Sequence, residues 1–105
     1  MKKAKYIFNL GLNDQTTRRQ EITTIEAMKL ANRLTTEAFW GCTIKENNWG
    51  YKYKDNEIIE EVSLEIEVVD YWSINDLNAL EHKELLKRIF NQEDVQLAKT
   101  TIEIL

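Results

Sequence analysis

Two stretches of the chain alternate between apolar and polar residues, a pattern typical of β-strands that bury one face. In residues 6–12 the even positions are apolar: Tyr6, Phe8, Leu10 and Leu12. In residues 61–68 the even positions are Val62, Leu64, Ile66 and Val68, and the odd positions are Glu61, Ser63, Glu65 and Glu67. Because successive side chains of a strand point to opposite faces, the second strand is predicted to have one apolar face and one acidic face.

The acidic strand is predicted to be the second arm of a hairpin. Asp55-Asn56 is a turn pair that tolerates left-handed backbone, and Asn47-Asn48 is interpreted as a second such turn. Cys42–Glu46 is a short predicted strand before these turns. Between the turns, alternation places one set of side chains on one face and another set on the opposite face: Trp49, Tyr51 and Tyr53 against Lys52 and Lys54.

A last strand is predicted to begin at Val95 and Leu97. Ile102 and Ile104 continue it with the opposite parity. One extra residue in a strand shifts the alternation by one position. The sequence therefore predicts a β-bulge near Lys99-Thr100.

Helical spacing separates these strands in two places. Thr23 and Glu26 form a predicted capping box, and Ser73 with Asp76 forms a similar pair before the second helix. The first helix has the apolar stripe Ala27, Leu30, Ala31, Leu34 and Ala38, and the second has Leu85, Leu86, Ile89 and Phe90 with His82 among them. Leu77 and Leu80 lie off the second stripe, so Tyr71–Leu80 is interpreted as an irregular loop or a separate turn.

The order strand, helix, strand hairpin, helix, strand predicts an α+β fold of the ferredoxin-like, split βαβ type. In that fold four antiparallel strands form a sheet with two helices on one face. One such domain is expected over residues 1–105. The acidic side of the Glu61–Glu67 strand would then lie on the face that the helices leave open.

Composition excludes several classes of function. The net charge of −4 argues against a protein that binds duplex nucleic acid, since that requires a basic face. Cys42 is the sole cysteine, so no disulfide and no cysteine-based zinc site is expected. No segment has the length and hydrophobicity of a membrane span or the pattern of a signal peptide. A cytoplasmic protein without metal or cofactor is predicted.

The candidate binding residues are Trp49, Tyr51, Glu61, Ser63, Glu65 and Glu67. On an open sheet face, Glu65 and Glu67 are expected to be solvated, which suits solubility better than catalysis. Glu61 with Ser63, near a wall formed by Trp49 or Tyr51, is the best candidate for a pocket. No cluster typical of catalysis is found, and His82 is interpreted as a structural residue packed through its ring.

Two basic features of the sequence are candidate anion sites. Lys52 and Lys54 are predicted to lie on the face opposite to the aromatic residues, so these groups cannot grip one nucleic-acid strand together. Arg18-Arg19 precedes a helix start, which attracts anions. It lacks a glycine-rich loop, so a solvated loop is expected there.

Five stretches give the chain a resemblance to a known family. They are Phe8-Asn-Leu-Gly-Leu12, Gly41-Cys-Thr43, Trp49, Glu61-Val-Ser63 and Phe90-Asn-Gln-Glu-Asp-Val95. Together they resemble a family of small bacterial, plasmid and phage proteins that is catalogued as a domain of unknown function. Val62 and Asp94 depart from its pattern, which often has proline and serine there. The resemblance implies a ferredoxin-like fold and a phage or mobile-element origin, and no activity.

Two functions are consistent with these observations. The first is a small non-enzymatic binding module with a protein partner, for example an inhibitor of a host defence protein. The alternative is a cofactor-free small enzyme or small-ligand sensor with a pocket near Trp49, Tyr51, Glu61 and Ser63. Any homodimer is expected to form through a strand edge or a helix surface, because stacked open faces would bury the glutamates against their own kind.

Overall fold

The computed structural model describes residues 1–70 and 74–105. The elements are β1 (Lys2–Gly11), α1 (Thr24–Phe39), β2 (Thr43–Lys52), β3 (Ile58–Val69), α2 (Asp76–Ile89) and β4 (Gln96–Glu103). The strands form one antiparallel sheet in the order β2-β3-β1-β4. This element order and sheet order confirm the predicted ferredoxin-like fold.

The core lies between the helices and one face of the sheet. The even-numbered residues of β1 and β3 supply its largest fully buried side chains, among them Phe8, Leu10, Leu64 and Ile66. The helices contribute small and branched residues, Ala27, Ala31, Ala79 and Leu86, all fully buried. Alternation in the sequence therefore predicted the correct inner face of both central strands. The opposite face of the sheet, which carries the odd-numbered residues of β1, β2 and β3, is called the open face below.

The helix starts agree with the sequence in one case and differ in the other. Thr23 caps α1 as predicted, and its Oγ1 accepts a hydrogen bond from the Glu26 backbone N–H at 3.2 Å. The N-cap of α2 is Asn75, which forms a reciprocal capping box with Asn78. The predicted cap Ser73 lies outside the described residues, as do Tyr71 and Trp72.

The segment 76–80 is helical, so the interpretation of Tyr71–Leu80 as a loop or separate turn was wrong for these residues. Leu77 is 62% exposed and Leu80 is 50% exposed. They fall off the apolar stripe because they lie on the solvent side of α2. No helix in the described part of the chain is long and apolar enough to cross a membrane.

The sheet corrects two predictions about strand continuity. β2 passes through Asn47 and Asn48, which pair with Ser63 and Val62, so no turn exists there. The hydrogen bonds of the long β2–β3 ladder override the local preference of two asparagines for a turn. The turn at Asp55-Asn56 is confirmed, with Asn56 at φ 73° and its N–H bonded to the Tyr53 carbonyl at 2.9 Å.

The predicted bulge in the last strand is also absent from the structure. β4 pairs with β1 without interruption, from Gln96 opposite Asn9 to Glu103 opposite Lys2. The parity change has a simpler cause: Leu97 faces the core opposite Phe8, and Ile102 lies half-buried on the open face. The apolar Ile102 on the open face produced the same sequence pattern as a β-bulge would.

The β2–β3 hairpin extends past the end of β1. β2 pairs with β3 from Thr43 opposite Glu67 to Lys52 opposite Ile58, whereas β1 pairs with β3 over Ser63–Val69 alone. Residues 49–52 and 58–61 therefore form an overhanging end of the sheet. This overhang holds Trp49, Tyr51 and Glu61, and it positions the candidate site described next.

The loop after β1 supports the overhanging hairpin through Arg18. The Arg18 guanidinium lies 2.9 Å from Asp55 Oδ2 and 3.0 Å from Glu57 Oε1, and it stacks 4.1 Å above the Tyr53 ring. Arg18 has a positive φ of 58°, which turns the loop toward the hairpin. The expectation of a solvated loop was therefore wrong for Arg18, and its charge is already used within the protein.

Candidate functional site

Three aromatic side chains form a wall at the overhanging end of the open face. Trp49 lies directly opposite Glu61 in the β2–β3 register. The Trp49 and Tyr51 ring centroids are 6.1 Å apart, and those of Tyr51 and Tyr53 are 5.1 Å apart, both at steep interplanar angles. This edge-to-face packing fixes the rings against one another. The wall follows from the alternation in β2, which places every second residue on one face.

Glu61 places a carboxylate beside this wall. The residue is 9% exposed, although it lies on the open face. Its Oε2 accepts a hydrogen bond from the Asn13 backbone N–H at 2.8 Å, and its carboxylate lies directly over Gly11. Burial raises the pKa of Glu61 above its ordinary value, and the hydrogen bond from Asn13 opposes part of that rise.

The loop between α2 and β4 adds two more carboxylates. Glu93 and Asp94, with Gln92, meet the aromatic wall, Glu61 and Gly11 around a narrow cavity of about 10 Å³. That volume holds about one water molecule. We call the set of Trp49, Tyr51, Tyr53, Glu61, Glu93 and Asp94 the aromatic–acidic cluster.

Burial and the nearby carboxylates both disfavour ionisation of the tyrosine hydroxyls in the cluster. The pKa of Tyr51 is raised first by burial and then by the charges of Glu93, Asp94 and Glu61. The pKa of Tyr53 is raised by burial and by Glu61, while the Arg18 charge lowers it. Lys54 lies 3.8 Å from Glu93, but its side chain is 91% exposed, so this pair is weak. Aromatic faces in a negative field suit a cationic ligand that carries a flat ring.

Ser63 does not join the cluster. It is 2% exposed, and its Oγ donates a hydrogen bond to the Asn47 carbonyl at 3.4 Å. It lies between Asn47 on β2 and Gly11 on β1 in the sheet register. Alternation predicted the correct face for Ser63, and its hydroxyl links β3 to β2.

Glu65 and Glu67 are not the solvated residues that the sequence predicted. Their side chains are 19% and 26% exposed. Glu65 Oε2 lies 2.8 Å from Lys45 Nζ, and Glu67 Oε2 lies 3.2 Å from Lys5 Nζ. The sequence pattern of one strand could not show these lysines, because they come from the neighbouring strands β2 and β1. The predicted acidic stripe is a set of ion pairs along most of its length.

Sequence reasoning missed Gly11, Tyr53 and residues 92–94 as parts of the site. Gly11 is a glycine inside a strand, which often marks a close approach of another group. Tyr53 shares parity with Trp49 and Tyr51 but follows the last residue of β2. Residues 92–94 lie in the loop before β4, and nothing in their spacing indicates contact with a hairpin some 30 residues earlier.

His82 and Cys42 lie away from this cluster. His82 is 3% exposed between the Phe8 and Phe39 rings, and its Nε2 lies 2.9 Å from Thr35 Oγ1. Burial lowers the pKa of His82 to about 4. Burial also raises the pKa of the Cys42 thiol. Among residues 1–70 and 74–105, no group of three or more His, Cys, Asp or Glu side chains is placed to hold a metal ion.

Known proteins share the fold of this chain. No protein-family model matches it, and no curated protein matches its sequence. Among solved structures, a phage SAM lyase in complex with S-methyl-5'-thioadenosine is similar, with a TM-score of 0.75, 14% identity, and coverage of 93% of this chain and 80% of that chain.

The apo state of phage SAM lyase gives a TM-score of 0.71 at 15% identity, covering 95% of this chain and 81% of that one. CutA from Synechococcus elongatus gives a TM-score of 0.56 at 11% identity, covering 96% and 77%. At these identities the likeness shows a common fold and nothing more. What the chain shares with these proteins is the ferredoxin-like arrangement of its strands and helices.

Proposed function

We propose that this protein binds S-adenosylmethionine (SAM) at the aromatic–acidic cluster and cleaves it to S-methyl-5'-thioadenosine. The observation that carries the proposal is the wall of Trp49, Tyr51 and Tyr53 beside Glu61, Glu93 and Asp94. SAM combines a sulfonium cation with a flat adenine ring. The similarity in fold to a phage SAM lyase supports SAM among cations of that kind.

Each part of SAM has a matching group in the cluster. An aromatic face attracts a cation by its quadrupole, and the attraction increases when water is excluded. The carboxylates of Glu61, Glu93 and Asp94 supply the opposite charge, and after burial their charges contribute to the raised pKa of Tyr51. Adenine can stack on a ring of the wall, since every base has a flat apolar face.

The proposed cleavage needs no metal and no redox partner. The bond between the sulfonium sulfur and the aminobutyryl carbon breaks, and its electron pair goes to sulfur to give the neutral thioether. The substrate's own carboxylate forms the new bond to that carbon, so atoms and charges balance within one molecule. The protein then acts chiefly by holding the substrate in a reactive conformation.

The cavity beside Glu61 is too small for SAM in this arrangement of side chains. A shallow depression of about 500 Å³ lies on the other face of the same overhang, since most of its lining residues are even-numbered: Asn48, Gly50, Glu60 and Val62, with Trp49 and Glu61. That volume falls within the range of small-molecule sites. Because the depression lies on the face opposite to the aromatic–acidic cluster, we propose that the ligand binds on the open face and that Trp49 moves to admit it beside Glu61.

The test is to incubate purified protein with SAM and to follow S-methyl-5'-thioadenosine by chromatography. We expect product in proportion to protein, and a rate about a hundredfold lower for Glu61→Gln, since removing one member of a buried charge interaction costs a few kcal/mol. Glu65→Gln is the matched control, because Glu65 lies on the same strand and face but pairs with Lys45. Absence of both binding and product with folded protein would refute the proposal.

A non-enzymatic interaction module remains the second candidate. The exposed leucines of α2, Leu77 and Leu80, favour it, because they present apolar surface on the side opposite to the cluster. The ion pairs of Glu65 and Glu67 weaken the version in which an acidic stripe inhibits a host defence protein. A phage or mobile-element origin and a protein partner belong to this proposal. If SAM neither binds nor reacts, Leu77→Glu should disrupt a partner identified by mass spectrometry from the native host.

A further inference from the structure

A buried glutamine links the loop after α2 to the residue that holds Glu61. Gln92 is 5% exposed, and its Nε2 donates to the Asn13 carbonyl at 2.7 Å and to the Phe90 carbonyl at 3.2 Å. Both amide hydrogens of Gln92 therefore have acceptors. An amide buried to this extent needs such partners, because an unpaired one costs about 1–3 kcal/mol.

Asn13 is held on both sides. The chain leaves β1 along β3, where the Leu12 N–H bonds to the Val62 carbonyl at 3.0 Å. The next N–H, that of Asn13, donates to Glu61 Oε2 at 2.8 Å and not to a backbone carbonyl. The Asn13 carbonyl accepts from Gln92. Asn13 thus connects the Gln92 amide to the Glu61 carboxylate.

Gly11 leaves space for this carboxylate. We call Gly11 and the Asn13 N–H, which contact the Glu61 carboxylate, the Glu61 seat. A Cβ at Gly11 would lie 2.6 Å from the Glu61 carboxyl carbon, closer than non-bonded carbon atoms approach. Gly11 does not have a positive φ, so its backbone is open to other residues. The glycine is needed here for space. Any side chain would push the carboxylate out of reach of the Asn13 N–H.

We propose that Gln92 is a positioning residue, which fixes Asn13 and thereby holds the Glu61 carboxylate over Gly11 for the bound ligand. Gly11, Glu61 and Gln92 come from three separate stretches of the sequence and meet at one point. The effect of Gln92 on catalysis, which we call the catalytic half of this inference, rests on the function proposed above. The structural half, the hold on Glu61, does not depend on any ligand.

The structural half is tested in the ligand-free protein by an NMR pH titration of the Glu61 carboxyl carbon and by the Asn13 amide signal. In Gln92→Met, which keeps the size but removes the donor, we expect a weaker Asn13 hydrogen bond, faster Asn13 amide exchange and a Glu61 titration moved to higher pH. The other ionisable groups that face Glu61 are Tyr51, Tyr53, Glu93 and Asp94, and all are retained in this variant.

Gln96→Ala is the matched control. Gln96 accepts a hydrogen bond from Asn9 at 3.3 Å on the exposed sheet surface and makes no contact with the Glu61 seat. The Gln96→Ala variant should leave the exchange of the Asn13 amide and the titration of Glu61 unchanged. If Gln92→Met does not fold, Gly11→Ala is used instead, because its methyl group would displace the Glu61 carboxylate. The hydrogen bond from the Asn13 N–H should then weaken, and exchange of the Asn13 amide should become faster. An unchanged Glu61 titration and Asn13 amide in folded Gln92→Met would overturn the inference.

The catalytic half is tested by the same variants with SAM. We expect kcat/KM of Gln92→Met to fall between tenfold and a hundredfold, because a displaced Glu61 carboxylate would hold the substrate less well in its reactive conformation. The acid limb of its pH profile should move in the same direction as the Glu61 titration. If wild-type protein does not cleave SAM, the proposed function fails while the NMR result still decides the role of Gln92. Altered NMR signals with unchanged kcat/KM would refute the catalytic half alone.

Discussion

Glu61 and Glu65 lie four residues apart on the same strand and the same face, yet they have different environments. Glu65 has Lys45 directly opposite it in β2, and the pair is closed at 2.8 Å. Glu61 has Trp49 opposite it and takes its hydrogen bond from a backbone N–H. Alternation therefore decides the face on which a carboxylate lies, whereas its cross-strand partner decides whether its charge is available to a ligand.

The lysine partners of Glu65 and Glu67 also affect how the protein could self-associate. Stacked open faces were expected to be unfavourable because they would bury unpaired glutamates. Glu65 and Glu67 each have a lysine on the same face, so that objection applies fully to Glu61 and only in part to the other two. Dimerisation through a strand edge or a helix surface stays a prediction. A crosslinked interface centred on the Glu61 end would identify the open face as the contact.

The largest expected effect comes from giving Glu61 the partner that Glu65 has. Trp49→Lys places a lysine opposite Glu61 at a position that repeats the Lys45–Glu65 geometry, because the ladder repeats every two residues. The lysine should neutralise Glu61 and repel the sulfonium. We expect SAM binding to weaken roughly a thousandfold, about 4 kcal/mol, as measured by calorimetry.

Trp49→Gln separates charge from the loss of the ring. This control removes the aromatic face but adds no cation, so its loss of affinity should be clearly smaller than that of Trp49→Lys. Equal losses in the two variants would mean that the tryptophan ring alone matters and that the available charge of Glu61 does not.

The sequence predicted the fold well and the site in part. The core face of β3 follows from four apolar residues in alternation, a local pattern that sheet formation does not alter. The shared face predicts a pocket of Glu61 with Ser63 near Trp49 or Tyr51; the structure brings Glu61 to both rings and leaves Ser63 out. The lysine partners of Glu65 and Glu67, the Glu61 seat and the contact of residues 92–94 depend on strand order and on loop positions. One strand's pattern contains no information about either.

His82 tests whether burial alone marks a functional group. The unfolded chain binds a proton on His82 below pH 6.5, while the folded chain resists it down to about 4. The stability that neutral His82 provides is therefore complete above pH 6.5 and is lost as the pH falls to about 4. At about 1.4 kcal/mol per pKa unit, the loss is roughly 3 kcal/mol.

His82→Gln should flatten this part of the stability curve, as measured by urea unfolding at pH 7 and pH 4.5. SAM binding at pH 7 should stay unchanged in the folded variant, because His82 faces the core from α2, on the side of the sheet opposite to the cluster. Loss of binding without loss of fold would show that a second buried group, remote from the cluster, contributes to function.

Glu61→Gln should stabilise the fold at neutral pH. Burial raises the folded-state pKa of Glu61, so its contribution to stability is greatest below the unfolded pKa of about 4.5 and falls as the pH rises through the folded value. Removing this penalty should raise the free energy of unfolding at pH 7. The gain should vanish near pH 4, and Glu65→Gln should show no gain at either pH.

The smallest expected effect is at the paired end of the open face. Lys5 and Glu67 are about one quarter exposed and 3.2 Å apart, which is typical of an ion pair worth about 0.5 kcal/mol. A double-mutant cycle with Lys5→Met and Glu67→Gln should give a coupling of that size, and it should shrink in high salt. Neither change should alter SAM binding. A coupling of several kcal/mol, or a loss of SAM binding, would show that the paired glutamates act together with the cluster. Glu61 and its paired neighbours would then differ only in how far their charge is available to a ligand.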